Sequence, residues 1–350
     1  MILFRNLRIV YYLGKMEVIF KNVGQGDSVI LEWVNSGSKR FGVIDCNLYD
    51  DLNPLLDELL ARQVSELDFV VLSHLHADHF SGFSELIDLC IKKQIIIKAF
   101  YHTFTVSVLE ILNEILVSQQ KIKLAARFLK SLEFGLTNKT VQSIYNVHDK
   151  MQLVALNSKV WLKFYSPNGL DDFKLAKSIA RFKAKSTSIV PDFNSMSTII
   201  SISNGSNCIL LTSDCIRSNF KRIQGLIKEE VVLAQAPHHG SKFNLHSGFW
   251  NKIKKVNNCP IVFSVGDIKK DKLPNKEVVS FFDNLGFQVQ STNHVYGIAE
   301  YFNATSATSS ISITASNNIA ALSAFGKVKK GKMNSANKLF NGDKHFSIAL

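Results

Sequence analysis

The stretch Val70–Phe83, VVLSHLHADHFSGF, constrains this chain more than any other. An apolar run that reads as a buried strand ends at Ser73, and the next six positions hold His74, His76, Asp78 and His79. In the turn after a strand, side chains can converge on one point instead of alternating between two faces. Neutral imidazoles and a carboxylate are ligands for divalent Zn, Mn or Fe, and two donor sets a few residues apart suit two ions rather than one. At this chain's histidine frequency, the spacing H-x-H-x-D-H would arise by chance in roughly a few per ten thousand chains of this length. A pair of metal ions needs further donors, and those must come from other strand ends.

Two such ends stand out. Asp214 closes CILLTSD, and His238 and His239 close VVLAQAPHHGS. A lone aspartate at a strand end is more often a turn residue or helix cap than a functional group. Two adjacent histidines after an apolar strand are harder to explain structurally, since at least one must face away from any core. The remaining pattern is regular from Met16 onward. MEVIFKNVGQGDSVILEW reads as two strands around a Gly-rich turn, KRFGVIDCN as a strand ending near Asp45, LNPLLDELLARQ as an amphipathic helix and LDFVVLSH as the next strand. Residues 84 to 92 read as a helix, QIIIKAFYHTF as a strand, and 105 to 137 as two helices. The second half is richer in strands: KVWLKFYSP, STIISISNGSNCILLTSD, EVVLAQAPHHG and CPIVFSVG. The pattern predicts an α/β chain with a sheet-on-sheet core and helices outside. It divides into an N-terminal extension over 1–15, a main domain over 16–302 and a basic, flexible C-terminal tail over 303–350.

No window is apolar enough over the roughly 18 residues a membrane span requires, and the first 15 residues do not form a signal peptide, which places the chain in the cytoplasm. The five cysteines are scattered and lack the paired spacing of zinc knuckles or disulfide frameworks, so most read as inert core thiols. VGQGDS has the wrong spacing for a dinucleotide or phosphate loop, and no Ser-His-Asp elbow is visible.

The ordered series NVGQGDSVILEW, GVIDCN, SHLHADHFSGF, FYSPNG, DFNSMSTIISI, ILLTSD, APHHGSK and IVFSVG resembles the metallo-β-lactamase fold. Within it, the series is most similar to the hydrolase domain that ends the ComEC/Rec2 competence proteins and to its free-standing relatives. The resemblance runs from about residue 16 to 302. It implies an αββα sandwich carrying two divalent ions, Zn or Mn, and a hydrolase acting on phosphodiesters. His74 and His76 would hold one ion; Asp78, His79 and one of His238 and His239 the other; Asp214 would bridge. His238 is favoured as the ligand, leaving His239 to contact phosphate or protonate the leaving group, with Asp78 and Asp214 at the catalytic centre. Asp45, and with less specificity Asp27, would orient a ligand imidazole. A further metal histidine common in the superfamily, in a Pro-Gly-His turn, is missing; Asn194, Ser195 and Ser197 stand in that region and could bind phosphate or a metal-bound water. Two ions about 3.5 to 4 Å apart can share a hydroxide and stabilise both oxygens of an in-line displacement, so no protein nucleophile is required.

Charge then bears on substrate. Forty-one Lys and Arg against 29 Asp and Glu leave a net +12, which favours a polyanionic partner. Between FYSPNG and DFNSMS, an insertion carries Lys174, Lys177, Arg181, Lys183 and Lys185 around an apolar face of Leu175, Ile179 and Phe182. As a basic wall beside the metals, joined by Lys242, it would bind a phosphate backbone through counterion release; a merely solvated amphipathic helix would have the same pattern. The expectation is a nuclease on DNA or RNA. The alternatives are a phosphodiesterase on cyclic nucleotides or phosphocholine-type esters, and a subunit of a larger nucleic-acid-processing or defence assembly.

Overall fold

The computed structural model describes residues 7–11, 16–104, 119–188, 190–267 and 272–309. Two seven-stranded sheets face each other. The first has the order β1-β2-β3-β4-β6-β8-β9 and the second β10-β11-β12-β13-β14-β15-β16. The first contains β1 (Leu7–Tyr11), β2 (Met16–Phe20), β3 (Ser28–Asn35), β4 (Ser38–Cys46), β6 (Phe69–Leu72), β8 (Phe100–His102) and β9 (Ile144–Asn146). The second contains β10 (Val154–Ala155), β11 (Trp161–Phe164), β12 (Ile200–Ser203), β13 (Asn207–Leu211), β14 (Glu230–Gln235), β15 (Pro260–Phe263) and β16 (Gln288–Ser291). A small pair, β5 (Glu66–Leu67) and β7 (Ile96–Ile97), lies apart from both.

Both sheets begin antiparallel and become parallel where helices cross over: β4, β6, β8 and β9 run parallel in the first, and β13 to β16 in the second. The β3–β4 hairpin turns on Ser36 and Gly37, both at positive φ, which suits the tight two-residue turn that matches strand twist. Leu7–Tyr11, within the expected N-terminal extension, pairs antiparallel with β2. The strand expected over QIIIKAFYHTF is divided into β7 and β8, which belong to different sheets.

Three apolar layers follow. Between the sheets lie Val18, Phe20, Val29, Trp33, Val71, Phe164, Ile202, Ile209 and Leu233. Outside the first sheet, the helices Pro54–Ala61, Phe83–Lys93 and Gln119–Thr137 cover Val43, Val70, Leu72 and Phe100. Outside the second, Arg217–Ile223, Lys276–Asn284 and Tyr296–Ser309 cover Leu210, Ala234 and Phe263. This is the expected αββα arrangement with helical additions. Of the two helices expected between 105 and 137, the second is Gln119–Thr137, while residues 105–118 fall outside the described residues, as does the tail beyond Ser309. Among the described residues no helix is long and apolar enough to cross a membrane. All five cysteines are buried and unbridged, and burial raises each thiol well above its ordinary range, as expected of core thiols.

Candidate metal centre

The parallel strands of both sheets end at one edge of the sandwich, and the turns that follow them build the site. After β6, the turn Ser73–His76 leads into a short helix, Ala77–Phe80, carrying Asp78 and His79. After β13 comes Asp214, and after β14 the tight turn Pro237–Gly240. Gly26 in the Gly-rich turn permits close packing: at φ +139 its Cα lies where a Cβ would stand 2.4 Å from the Asp78 carbonyl, while Asp27 N donates to that carbonyl at 3.1 Å.

Two donor groups share Asp214, beside a third of Asp27, Asp45 and His79. Asp78, His79, Asp214 and His239 each offer one atom within 4.8 Å of all the others, as do His74, His76 and Asp214. In the first group, His239 Nε2 is 3.4 Å from Asp78 Oδ2 and 3.5 Å from Asp214 Oδ1, and His79 Nε2 is 3.5 Å from Asp214 Oδ2. In the second, His74 Nε2 is 3.0 Å from His76 Nδ1 and 3.8 Å from Asp214 Oδ2. Most of these separations are too long for good hydrogen bonds. They are near the roughly 3.3–3.6 Å that separates two ligands of a tetrahedral ion with bonds of about 2.0–2.2 Å. Buried His79 Nε2, His238 Nδ1, His239 Nε2 and Asp214 Oδ1 make no hydrogen bond at all. Several unsatisfied polar atoms in one enclosed place would be costly unless something binds them. The donor set therefore fits divalent cations.

The supporting contacts aim these atoms. Asp45 accepts from His79 Nδ1 at 2.8 Å, from Ser73 Oγ at 2.6 Å and from Ser73 N at 2.7 Å, which leaves His79 Nε2 facing the cluster. Asp27 stands behind His79 at 3.7 Å and accepts from Gln235 Nε2 at 2.8 Å. Gln235 Oε1 in turn accepts from Thr212 N and Ser213 N, so one side chain ties the turns before Asp214 to the Gly-rich turn. Ser213 Oγ donates to Ser73 Oγ at 2.6 Å across the two sheets. Ser73, Ser213, Gln235 and the Ser264 carbonyl escaped sequence reasoning, because no residue type or spacing marks a small polar group that acts through a neighbour.

Electrostatics follow the geometry. Burial, with the charges of His79 and His76, drives His74 well below its usual value, so it stays neutral and its lone pair is available. Burial opposes the protonated form of His79, but Asp214, Asp45 and Asp78 outweigh it and raise that imidazole well above normal. The same contest, won by Asp214 and Asp78, raises His239 to about 9. Burial alone would push Asp214 up; His238, His239 and His79 instead hold it well below the carboxylate range.

The two histidines of the APHHGS turn lie differently from the expected placing. His239 Nδ1 donates to the Ser264 carbonyl at 2.8 Å, which points its Nε2 at Asp78, so His239 rather than His238 joins the Asp78–His79 group. His238 instead approaches Asp214 Oδ2 with Nδ1 at 3.6 Å. Asn194 lies in the 3-10 turn Phe193–Met196, its Oδ1 buried and without a hydrogen bond, and the adjacent Phe193 ring lies 6.0 Å from that of His76. Ser195 Oγ donates to the Asp192 carbonyl, and Ser197 is buried with its hydroxyl unpaired. Lys242 is exposed, its ammonium 5.5 Å from the Phe243 ring centre. Lys174, Lys177, Arg181, Lys183 and Lys185 are exposed on or just beyond the helix Gly169–Lys183.

The profile described as Metallo-beta-lactamase superfamily matches residues 23–215, which spans more than half of the chain and includes all but the APHHGS donors. The chain belongs to the metallo-beta-lactamase superfamily. Similar solved structures include the metallo-beta-lactamase fold protein YhfI from Bacillus subtilis, at 12% identity over 79% of this chain and 95% of that one, with TM-score 0.40. A diphosphatase from the PhnP family is 13% identical over 77% of this chain and 81% of its own, with TM-score 0.39. Zn(2+)-bound PqqB from Methylobacterium extorquens is 9% identical over 75% and 84%, with TM-score 0.41. No curated protein matches the chain. Membership makes this a hydrolase fold of the kind that binds divalent metals, and the donor groups occupy the place where the two sheets end together.

Proposed function

We propose that the protein is a metal-dependent phosphodiesterase whose substrate is a nucleic-acid strand. The observation that carries the proposal is a pair of His/Asp donor groups sharing Asp214, with a basic helix packed beside them. Leu175 and Ile179 of the helix Gly169–Lys183 are buried in the same cluster as Phe193, which touches His76, so the helix stands at the rim of the centre. Its outward face carries Lys174, Lys177 and Arg181, and Lys185 follows. Such a face favours a long phosphate backbone over a small neutral ester. The motif order, similar to the ComEC/Rec2 hydrolase domain, supports the same substrate class, and a chain of this kind would act in the cytoplasm.

The chain's own residues divide the work. His74, His76, Asp78, His79, Asp214 and His239 would hold Zn or Mn, with Asp214 common to both donor groups. Divalent ions there supply a nucleophile at neutral pH and Lewis-acid stabilisation of charge developing at phosphorus. Asp45 and the Ser264 carbonyl keep His79 and His239 in one tautomer. Lys242 and the helix cations would neutralise the phosphates flanking the scissile one. Asn194, whose buried carbonyl oxygen has no hydrogen bond, would accept from a water held at the centre.

The test is cleavage of end-labelled single-stranded DNA, duplex DNA and RNA, with a bis-aryl phosphate alongside, in Mn or Zn. Polymer cleavage by the wild type and none by Asp78→Ala or Asp214→Ala is expected. If only the bis-aryl ester is cut, the target is a small phosphodiester such as a cyclic nucleotide or phosphocholine-type ester. If nothing is cut although metal binds, activity belongs to a larger assembly and the proposal fails for the isolated chain.

A further inference from the structure

A single apolar side chain on a surface needs no explanation by itself, but its position can supply one. Among the described residues the two most exposed large apolar side chains are Phe243, at 75%, and Phe173, at 64%. Both stand on elements tied to the donor groups. Phe243 lies in the turn that follows APHHGS, and that turn is held on several sides: Asn244 Nδ2 donates to the Asp214 and Cys215 carbonyls at 3.3 and 3.1 Å, Asn244 N to the Ser241 carbonyl at 3.2 Å, and Lys242 N to Asn275 Oδ1 at 2.8 Å. A fixed backbone therefore presents the Phe243 ring, one residue from a side chain bonded to the Asp214 main chain. Phe173 lies two residues from Asp171, which pairs with Arg222 and accepts from Asn219 Nδ2 at 3.2 Å. The same helix, Arg217–Ile223, reaches the other turn, where Arg217 Nη2 donates to the Lys242 carbonyl at 2.7 Å. One short helix thus joins the two elements that carry the exposed rings.

Charge decides what such rings would meet. The Lys242 ammonium lies 5.5 Å from the Phe243 ring centre, and helical spacing puts exposed Lys174, Lys177 and Arg181 on the outward face that Phe173 also joins. An apolar partner surface would have to desolvate those cations without pairing them, which is costly. An unpaired nucleic-acid strand offers a phosphate to each cation and a base face to each ring. In a duplex the bases are stacked on one another and the rings gain nothing. We infer that Phe243 and Phe173 are base-stacking platforms beside the donor groups, and that the protein takes a single strand in preference to a duplex. This rests on the preceding reading of a nucleic-acid substrate and names the form of strand it takes.

The experiment measures binding of the full, metal-loaded chain to three phosphorothioate oligomers of equal length, which resist cleavage: oligo(dT), an abasic strand with the same backbone, and a duplex. The abasic strand separates stacking from phosphate contacts. Oligo(dT) should bind most tightly, although the duplex carries the denser charge and would win if the backbone alone were read. Phe243→Ala and Phe173→Ala should each weaken oligo(dT) binding by about 5- to 100-fold, the worth of one stacked base, with abasic binding unchanged. Phe243→Trp should keep the discrimination, and its emission, measured against the wild type, should be quenched by oligo(dT) and not by the abasic strand. An abasic strand bound as tightly as oligo(dT), a duplex bound more tightly than either, or discrimination retained in full by either alanine variant overturns the inference and leaves the phosphodiesterase reading standing. Binding of phosphatidylglycerol vesicles that both alanine variants lose, with oligo(dT) affinity unchanged, assigns the rings to a lipid surface and also overturns it. A wild type that binds none of the oligomers removes both.

Discussion

Asp45 shows how much a single carboxylate can control at this centre. Its two oxygens receive three bonds, from His79 Nδ1, Ser73 Oγ and Ser73 N, and its own backbone sits at φ 57. Asn in its place keeps the shape and tolerates that backbone, but presents an amide N–H to one of those donors. Asp45→Asn should therefore weaken metal binding by about 10–100-fold with the fold retained. Competition against a chelating dye measures it, and an unchanged affinity would mean His79 is oriented by packing alone. A second residue acts away from the metals. Burial lowers the imidazole of His102 to about 4, and its ring stacks on Phe104 with centroids 3.8 Å apart and Nδ1 unpaired. Because its folded value lies below the ordinary 6.5 or so, the unfolded chain binds the extra proton; stability present above about pH 6.5 is lost as pH falls toward 4. His102→Phe should flatten melting temperature against pH in that window, whereas an undiminished acid limb would assign the loss to other groups. The donor cluster was readable because His74, His76, Asp78 and His79 form a pattern that chance rarely produces. The placing of His239 beside Asp78 was not, since it depends on a Ser264 carbonyl distant in sequence.

At the scale of elements, apolar periodicity marked β3, β4, β6, β13, β14 and β15 because each is an interior strand of its sheet and largely buried. It overlooked β9, β10 and β16, which sit at sheet edges or are two to four residues long, so they bury too little to leave a pattern. The helix Gly169–Lys183 was visible as an insertion, yet its attachment was hidden. Asn168 caps it, accepting from Leu170 N and Asp171 N at 3.0 Å, and Asp171 Oδ2 accepts in turn from Asn168 N. Asp171 also pairs with Arg222 and accepts from Asn219 at 3.2 Å, anchoring the helix start to Arg217–Ile223. Asn168→Ala should cost about 1 kcal/mol by denaturant unfolding; no loss would show that the Asp171 contacts suffice. The basic face makes a separate prediction. Replacing Lys174, Lys177, Arg181 and Lys185 with Gln should leave bis-aryl phosphate turnover unchanged and weaken binding of a polynucleotide. The slope of log affinity against log salt should fall by about 0.7–0.9 for each phosphate contact removed. An unchanged slope would assign this helix to solvent and move the substrate path elsewhere.

The whole molecule is organised so that neither sheet holds a complete site. His74, His76, Asp78 and His79 belong to the first sheet's edge, and Asp214, His238 and His239 to the second's, with Ser213 Oγ to Ser73 Oγ, Gln235 to Asp27 and Thr198 N to the Ser73 carbonyl among the direct hydrogen bonds across. In the metal-free chain this seam brings together carboxylates, imidazoles and several unsatisfied atoms, which makes it less stable than the apolar layer beneath it. Ions would bind only when both sheets are in register, so metal should act as a staple. At a free concentration one hundred times Kd, one site adds about 2.7 kcal/mol to global stability, removed by a chelator. The added protection has a predictable place. Amide exchange should slow in residues 73–80 on one sheet and in 212–215 and 236–241 on the other, while the edge strands β9 and β10 keep their metal-free rates. In Asp214→Ala, which lacks the shared carboxylate, that coupled protection should vanish even where a single ion still binds His74 and His76. Slowing confined to one sheet in the wild type would mean that the ions are not shared, and that the two halves of the sandwich are held by apolar packing and the direct hydrogen bonds across the seam.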